Sequence, residues 1–298
     1  MSILATGATG LVGYHLCKKL VSEGYQVIGL VHNRFNPLTN ALFKSGNFKA
    51  YTGDIREASV PYVAIRRNKI KTVFHTAAHV PYTPNKDLVG VNIRGTLNLL
   101  NAAYLNGVEE FIYASSMSVY SSPPSYLPVD EIHPTQPSSV YGMTKLAGEL
   151  SCSSCDSMKV IILRFAGVYG ISSEKNRVIN SFIHCALNNQ PLTVLGDGTQ
   201  SSDFIDVDDV VQGAFLAWRK GITGIYNIGS GQETSLMELA KCIVGLTSSK
   251  SEIKTTGSAI ERPFRFVLDI SKAKREFGYN PVSLSNGLRA YLEKLNGS

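Results

Sequence analysis

Apolar residues fall into short continuous runs separated by longer segments with helical spacing. SILAT (2–6), YQVIGLV (25–31), FKAYTGD (48–54), TVFHTAA (72–78), FIYASS (111–116) and VIILRFAGVYG (160–170) read as strands. After the first run, LVGYHLCKKLVSEG sets Val12, Leu16, Leu20 and Val21 on one helical stripe, and Gly24 ends it. VNIRGTLNLLNAAYLNG (91–107) and the segment from 140 to about 152 repeat the helical pattern. Strands that are apolar at nearly every position are buried on both faces. Alternating with helices, they build a doubly wound parallel sheet through right-handed crossovers. This α/β architecture is expected over residues 1–167. From about residue 170 the segments become mixed, as in PLTVLGDGTQSSDFIDVDDV, and predict a smaller, loop-rich lobe over 168–298. Some of its segments are expected to return and pack on the first domain.

Composition narrows the class. Hydrophobic residues are 44% and charged residues 17% of the 298, an ordinary globular balance. No apolar run nears the roughly 20 residues needed to cross a bilayer. MSILATGATG has no basic stretch and only a short apolar one, so no signal peptide is expected there. The expectation is a soluble, cytoplasmic protein. The net charge of +6 comes from scattered Lys and Arg, not a stripe, which excludes a nucleic-acid footprint and leaves a mild preference for anions. Five cysteines without a framework predict reduced thiols, and a lone Cys152-x-x-Cys155 predicts no metal site.

Gly7-Ala-Thr-Gly10-Leu-Val-Gly13 follows the first strand directly and opens the first helix. At that turn, glycines permit close approach of backbone to a pyrophosphate, and helix amides meet the anion. The first domain is therefore expected to be a dinucleotide-binding (Rossmann) domain. The second strand ends at Val31-His32-Asn33-Arg34, with no carboxylate for a ribose 2′-hydroxyl and with an Arg available for a 2′-phosphate. That favours NADP over NAD. Asp54, after the third strand, could accept a hydrogen bond from the adenine amino group.

Ligands of such sheets bind beyond the carboxyl ends of the strands. The fifth strand ends there in Ser115-Ser116, and the next helix opens with Tyr141 and Lys145 four residues apart, on one face. An ammonium beside a phenol favours the phenolate, which can take or return the proton of a substrate alcohol. A serine hydroxyl from the strand end can bind the same oxygen. The set moves a proton while a nicotinamide moves a hydride.

These motifs, in order, resemble the extended short-chain dehydrogenase/reductase family, in particular its sugar-nucleotide epimerases and ketoreductases. The likeness runs through ATGATGLVG, GDI, HTAA, VNIRGT, ASSMSVY, YGMTK, LRFAGVYG, GDGTQSSDFIDVDD, YNIGSG and LDISKAK, nearly the whole chain. It implies Ser116, Tyr141 and Lys145 as catalytic residues, with Lys145 also holding the nicotinamide ribose. It implies a cofactor site of Gly7, Thr9, Gly10, Leu11, Val12, Gly13, His32, Asn33, Arg34, Asp54, Ile55, Thr76, Ala77, Ala78, Asn92, Ser115, Tyr141, Lys145, Phe165 and Val168. It implies a substrate site of His79, Ser116, Met117, Tyr141, Gly167 and Arg262, a mainly substrate-binding lobe over 168–298, and a homodimer formed through helices at about 88–106 and 140–152, which carry Leu97, Leu100, Met143, Leu146 and Leu150. The family's dehydratases carry Asp-Glu directly after the catalytic hydroxyl residue; Met117-Ser118 here disfavours dehydration. Gly167 stands where the family often has Asn, and Ser202 where it often has Arg. Asp206, Asp208 and Asp209 could suggest a cation site, but a helix N-cap and first-turn charge is the expected role for at least one of them. Three functions stay open: an epimerase or 4-ketoreductase of a nucleotide sugar, an NADP-dependent reductase of a non-nucleotide alcohol or ketone, and an inactive NADP sensor, which the intact Ser116, Tyr141 and Lys145 argue against.

Overall fold

The computed structural model describes residues 2–32, 40–80, 87–171, 178–257 and 264–296. Asn33, Arg34 and Arg262 lie outside them. The strands are β1 (Ser2–Thr6), β2 (Gln26–Val31), β3 (Phe48–Thr52), β4 (Thr72–His75), β5 (Glu110–Ser116), β6 (Lys159–Phe165), β7 (Gly167–Tyr169), β8 (Leu192–Leu195), β9 (Ser201–Asp206), β10 (Gly224–Ile228), β11 (Glu233–Ser235) and β12 (Ile253–Thr256). The helices are α1 (Leu11–Ser22), α2 (Asn40–Phe43), α3 (Ser59–Asn68), α4 (Gly95–Leu105), α5 (Val140–Ser153), α6 (Val178–Leu187), α7 (Val207–Lys220), α8 (Leu236–Leu246), α9 (Ser271–Phe277) and α10 (Leu284–Asn296). A π turn over Gly90–Arg94 leads into α4, and a 3₁₀ turn, Met117–Val119, follows β5.

The chain divides into two compact units, and not by a single cut. One comprises residues 1–122, 135–165 and 211–226, the other 123–134, 166–210 and 227–298. The first carries a seven-stranded sheet in the order β10-β6-β5-β4-β1-β2-β3, and β1 to β6 pair in parallel throughout. Leu4, Val73, Phe111 and Ile162 from the strands meet Ile65, Leu99 and Leu100 from α3 and α4 in its core. This is the expected Rossmann architecture. The segment 211–226 returns to it, because Trp218 packs edge-on against Phe74 and Tyr25 and donates Nε1–H to Glu110 at 2.7 Å.

The run 160–170, expected as one strand, breaks at Ala166. The amide of Ala166 bonds to Ile228, and β7 pairs with β9 in the three-stranded sheet β11-β9-β7 of the second unit. That unit has its own core, built on Ile179, Phe182, Leu239, Ile243 and Leu288. Asp203, fully buried, accepts hydrogen bonds from the Ser230 amide and hydroxyl and from the amides of Gly231 and Leu268, and so pins two loops. Asp206 accepts the Asp208 amide at the start of α7, Asp208 pairs with Lys294, and Asp209 accepts the Val282 amide. No helix among the described residues is long and apolar enough to cross a membrane.

Candidate active site

The glycine turn after β1 builds an open helix end. Gly7 has φ +68°, and a Cβ there would sit 2.8 Å from the Ala77 backbone, so only glycine fits. Gly10 caps α1 without any side chain, leaving the first-turn amides around Leu11 and Val12 directed at whatever anion approaches. Thr9 is half-buried in the same turn. Beyond β3, Asp54 is gripped by Arg56 through Nε and Nη2 (2.6 Å), which holds its carboxyl down at about 2, and His32 Nε2 lies 3.3 Å away. Arg56 also reaches Asp87 at 3.2 Å. Ile55, next to Asp54, is buried.

Helix α5 opens with Ser139, whose Oγ accepts the Gly142 amide at 3.0 Å. A side chain at position 142 would run into the Ser118 carbonyl oxygen, so the helix start lies directly on the 3₁₀ turn after β5. That contact brings Ser116, Met117, Tyr141 and Lys145 to one end of the sheet. Ser116 Oγ accepts the Ser118 amide at 3.1 Å and donates to Ser118 Oγ at 3.2 Å. Tyr141 is half-buried, and Lys145 is only 3% exposed. The Lys145 ammonium stands 4.4 Å from the centre of the Tyr113 ring. Burial pushes it down to about 8, against the opposing pull of Cys152 and Glu149.

Beneath these groups runs a buried polar chain. Ala77 N–H donates to Thr6 Oγ1, and Thr6 Oγ1 bonds to His75 Nδ1 at 2.8 Å. His75 Nε2 bonds to Thr96 Oγ1 at 2.8 Å, and Thr96 gives its own proton to the Asn92 carbonyl at 2.6 Å. That direction requires the hydrogen on Nε2 and leaves Nδ1 to accept from Thr6. Burial, then the Lys145 charge, holds His75 down at about 3, so it stays neutral. Asn92 continues the chain, donating to Thr144 Oγ1 and to the His79 carbonyl and accepting the His79 amide. Thr144 closes it on the Tyr141 carbonyl at 2.8 Å.

Several expected contact residues therefore turn inward. Asn92 is buried with its amide committed to His79 and Thr144, and Thr76 donates to the Thr6 carbonyl. Ser115 is buried and bonds to Glu149. Ala78 and His79 lie on the loop after β4, half-buried, and Phe165 is buried at the end of β6. Gly167 and Val168 lie in the second unit, where a Cβ at 167 would come within 2.9 Å of the Asp203 carbonyl oxygen. Sequence reasoning passed over Glu149 and Arg164, a buried pair at 2.7 Å. The signal was present: Glu149 falls one turn after Lys145 on the same stripe, and Arg164 interrupts an apolar strand.

Residues 3–229 match the profile of the family described as NAD dependent epimerase/dehydratase. The chain belongs to the NAD-dependent epimerase/dehydratase family. A UDP-glucose 4-epimerase of Mycolicibacterium smegmatis is 30% identical, over 98% of this chain and 98% of its own. The crystal structure of a UDP-glucose 4-epimerase from Thermotoga maritima with UDP-glucose superposes with a TM-score of 0.89 at 28% identity, covering 100% of this chain and 99% of that one. A UDP-glucuronic acid 4-epimerase from Bacillus cereus, in complex with UDP-glucuronic acid and NAD, superposes at 0.87 with 30% identity, covering 100% and 99%. The epimerase/dehydratase profile spans the glycine turn, Ser116 and the Tyr141–Lys145 helix. This is an enzyme of the extended short-chain dehydrogenase/reductase type.

Proposed function

We propose that the enzyme is a 4-epimerase of a UDP-activated hexose or hexuronic acid. The observation that carries this is the buried Lys145 ammonium on the same helical face as Tyr141, seated on the turn that holds Ser116. The glycine turn, the uncapped start of α1 and Asp54 fit a nicotinamide dinucleotide, which supplies the acceptor and donor of hydride at C4. Tyr141, as the phenolate, takes the O–H proton of the C4 hydroxyl as the C4–H hydrogen leaves as hydride, and returns that proton when hydride is restored to the other face of the sugar. Ser116 turns its donated proton from Ser118 to the same oxygen. Lys145 stabilises the phenolate and holds the ribose. Met117 and Ser118 offer no carboxyl to expel a hydroxyl, which separates this reading from dehydration. The UDP-sugars in the relatives' names support the substrate class. Incubation with a panel of UDP- and dTDP-sugars, with and without NADPH, tests it. Epimer formed without net cofactor oxidation is expected; stoichiometric NADPH consumption would instead make the enzyme a reductase.

For the cofactor we infer tighter binding of NADP(H) than of NAD(H). Among the described residues at the end of β2, Val31 and His32 offer no carboxylate to a ribose 2′-hydroxyl, and Arg34 follows in sequence. Fluorescence titration of both cofactors checks this. Equal affinities, unchanged in Arg34→Ala, would remove the argument.

The assembly we infer is a homodimer through α4 and α5. Leu97, Tyr104, Met143 and Leu150 are all about half exposed or more on these helices, whereas Leu100 turns into the core. Light scattering at micromolar concentration should give twice the chain mass of 32.4 kDa. A monomeric mass would count against it.

A further inference from the structure

We propose that the buried Glu149–Arg164 pair is a positioning element of the active site, fixing α5 against the end of β5 and setting the Glu149 carboxyl one turn behind Lys145. The proposal rests on the assignment of Tyr141 and Lys145 above.

The geometry links every element that carries the chemistry. Arg164 on β6 grips both oxygens of Glu149, Nη2 to Oε2 at 2.7 Å and Nε to Oε1 at 3.0 Å. Glu149 also accepts the hydroxyl of Ser115, the residue before Ser116. The Arg164 guanidinium lies 4.7 Å from the centre of the Tyr120 ring, just beyond the turn that orients Ser116. Glu149 and Arg164 are 2% and 3% exposed. Through them, Tyr141 and Lys145 on α5 are registered to Ser116 at the strand end.

Stability alone does not explain the pair. Replacing a buried ion pair by apolar residues of similar volume is often neutral or stabilising. The charge has a use beside Lys145, whose ammonium is itself buried. The groups facing Lys145 are His75 from β4, Tyr113 from β5, and Tyr141, Glu149 and Cys152 on α5. His75 is neutral, and burial pushes the Tyr113 phenol and the Cys152 thiol up, so both keep their protons at neutral pH. Glu149 favours the charged lysine against its burial.

The test is the pH profile of turnover in four proteins: native, Glu149→Gln, Glu149→Asp and the double variant Glu149→Leu/Arg164→Met. The native enzyme should lose activity as pH rises through about 8, where Lys145 discharges. Glu149→Gln should move this alkaline limb down by about one pH unit and lower turnover about tenfold. Glu149→Asp keeps the charge and should keep the limb within a few tenths of a unit, with turnover reduced by the shortened reach. The double variant should melt near the native temperature and still show the lowered limb. A double variant with native turnover and an unmoved limb would overturn the proposal and reduce the pair to packing. A native enzyme with no alkaline limb would sink the Lys145 assignment itself.

Discussion

Tyr141→Phe should fold and bind cofactor as the native enzyme does, yet lose about 10²–10⁴-fold in turnover, the usual worth of general acid–base catalysis. The substitution removes one hydroxyl from a half-buried ring in the first turn of α5. The turn is held by other groups: Ser139 caps the helix, Gly142 seats it on the Ser118 carbonyl, and Thr144 bonds to the Tyr141 main chain. The effect should therefore fall on turnover and leave KM and cofactor affinity close to native. Ser116→Ala should act in the same direction but more weakly, because Ser116 donates a hydrogen bond and does not carry the proton away. The pH dependence separates roles further: the limb set by the phenol should vanish in Tyr141→Phe. Near-normal turnover in that variant with an unchanged profile would mean that another group moves the proton.

Lys145→Met should combine three effects. Turnover falls because the phenolate loses its cation, and cofactor binds more weakly because the ribose loses a partner. The unliganded protein, however, becomes more stable. The sign follows from the shift: Lys145 is lowered from 10.5 unfolded to about 8 folded. Between those values the unfolded chain binds more protons, so native stability rises with pH across the window. Below pH 8 the fold carries the full cost of the buried ammonium, roughly 3 kcal/mol at about 1.4 kcal/mol per pH unit. Methionine fills similar space against the Tyr113 ring without that cost. Urea unfolding at pH 7 should show a higher midpoint for Lys145→Met, and the difference should shrink toward pH 10. A variant that is less stable at pH 7 would show that the ammonium's contacts outweigh its burial.

What the sequence revealed is what is written in local spacing. The β1 turn was readable because three glycines stand at fixed offsets between a strand and a helix, and Tyr141 and Lys145 because four residues make one helical face. The parallel sheet was readable from its continuous apolar strands. The break at Ala166 was not, since FAGVYG is apolar on both sides of it and only pairing with distant β9 and β10 splits the run. The return of residues 211–226 to the first unit depends on Trp218 finding Glu110, more than a hundred positions away in the chain. Asn92 and Ser115 show a different limit. Their chemistry suits a ligand, but burial and the nearness of Thr144, His79 and Glu149 turn it inward. Glu149 and Arg164 could be seen as charges out of place, but not as partners. At Gly167, Ser202 and Arg262 the reading of the substrate site rests on residue type alone.

The fate of the hydrogen on C4 tests the central claim most directly. UDP-glucose and UDP-glucuronate, each labelled with deuterium at C4, would be incubated with the enzyme in ordinary water and the products read by NMR and mass spectrometry. Epimerisation by Tyr141-mediated proton transfer coupled to hydride transfer predicts a C4 epimer that keeps its deuterium, forms without net cofactor oxidation, and fails to form in Tyr141→Phe at native rates. Epimer that has exchanged its C4 deuterium for solvent hydrogen would contradict the account.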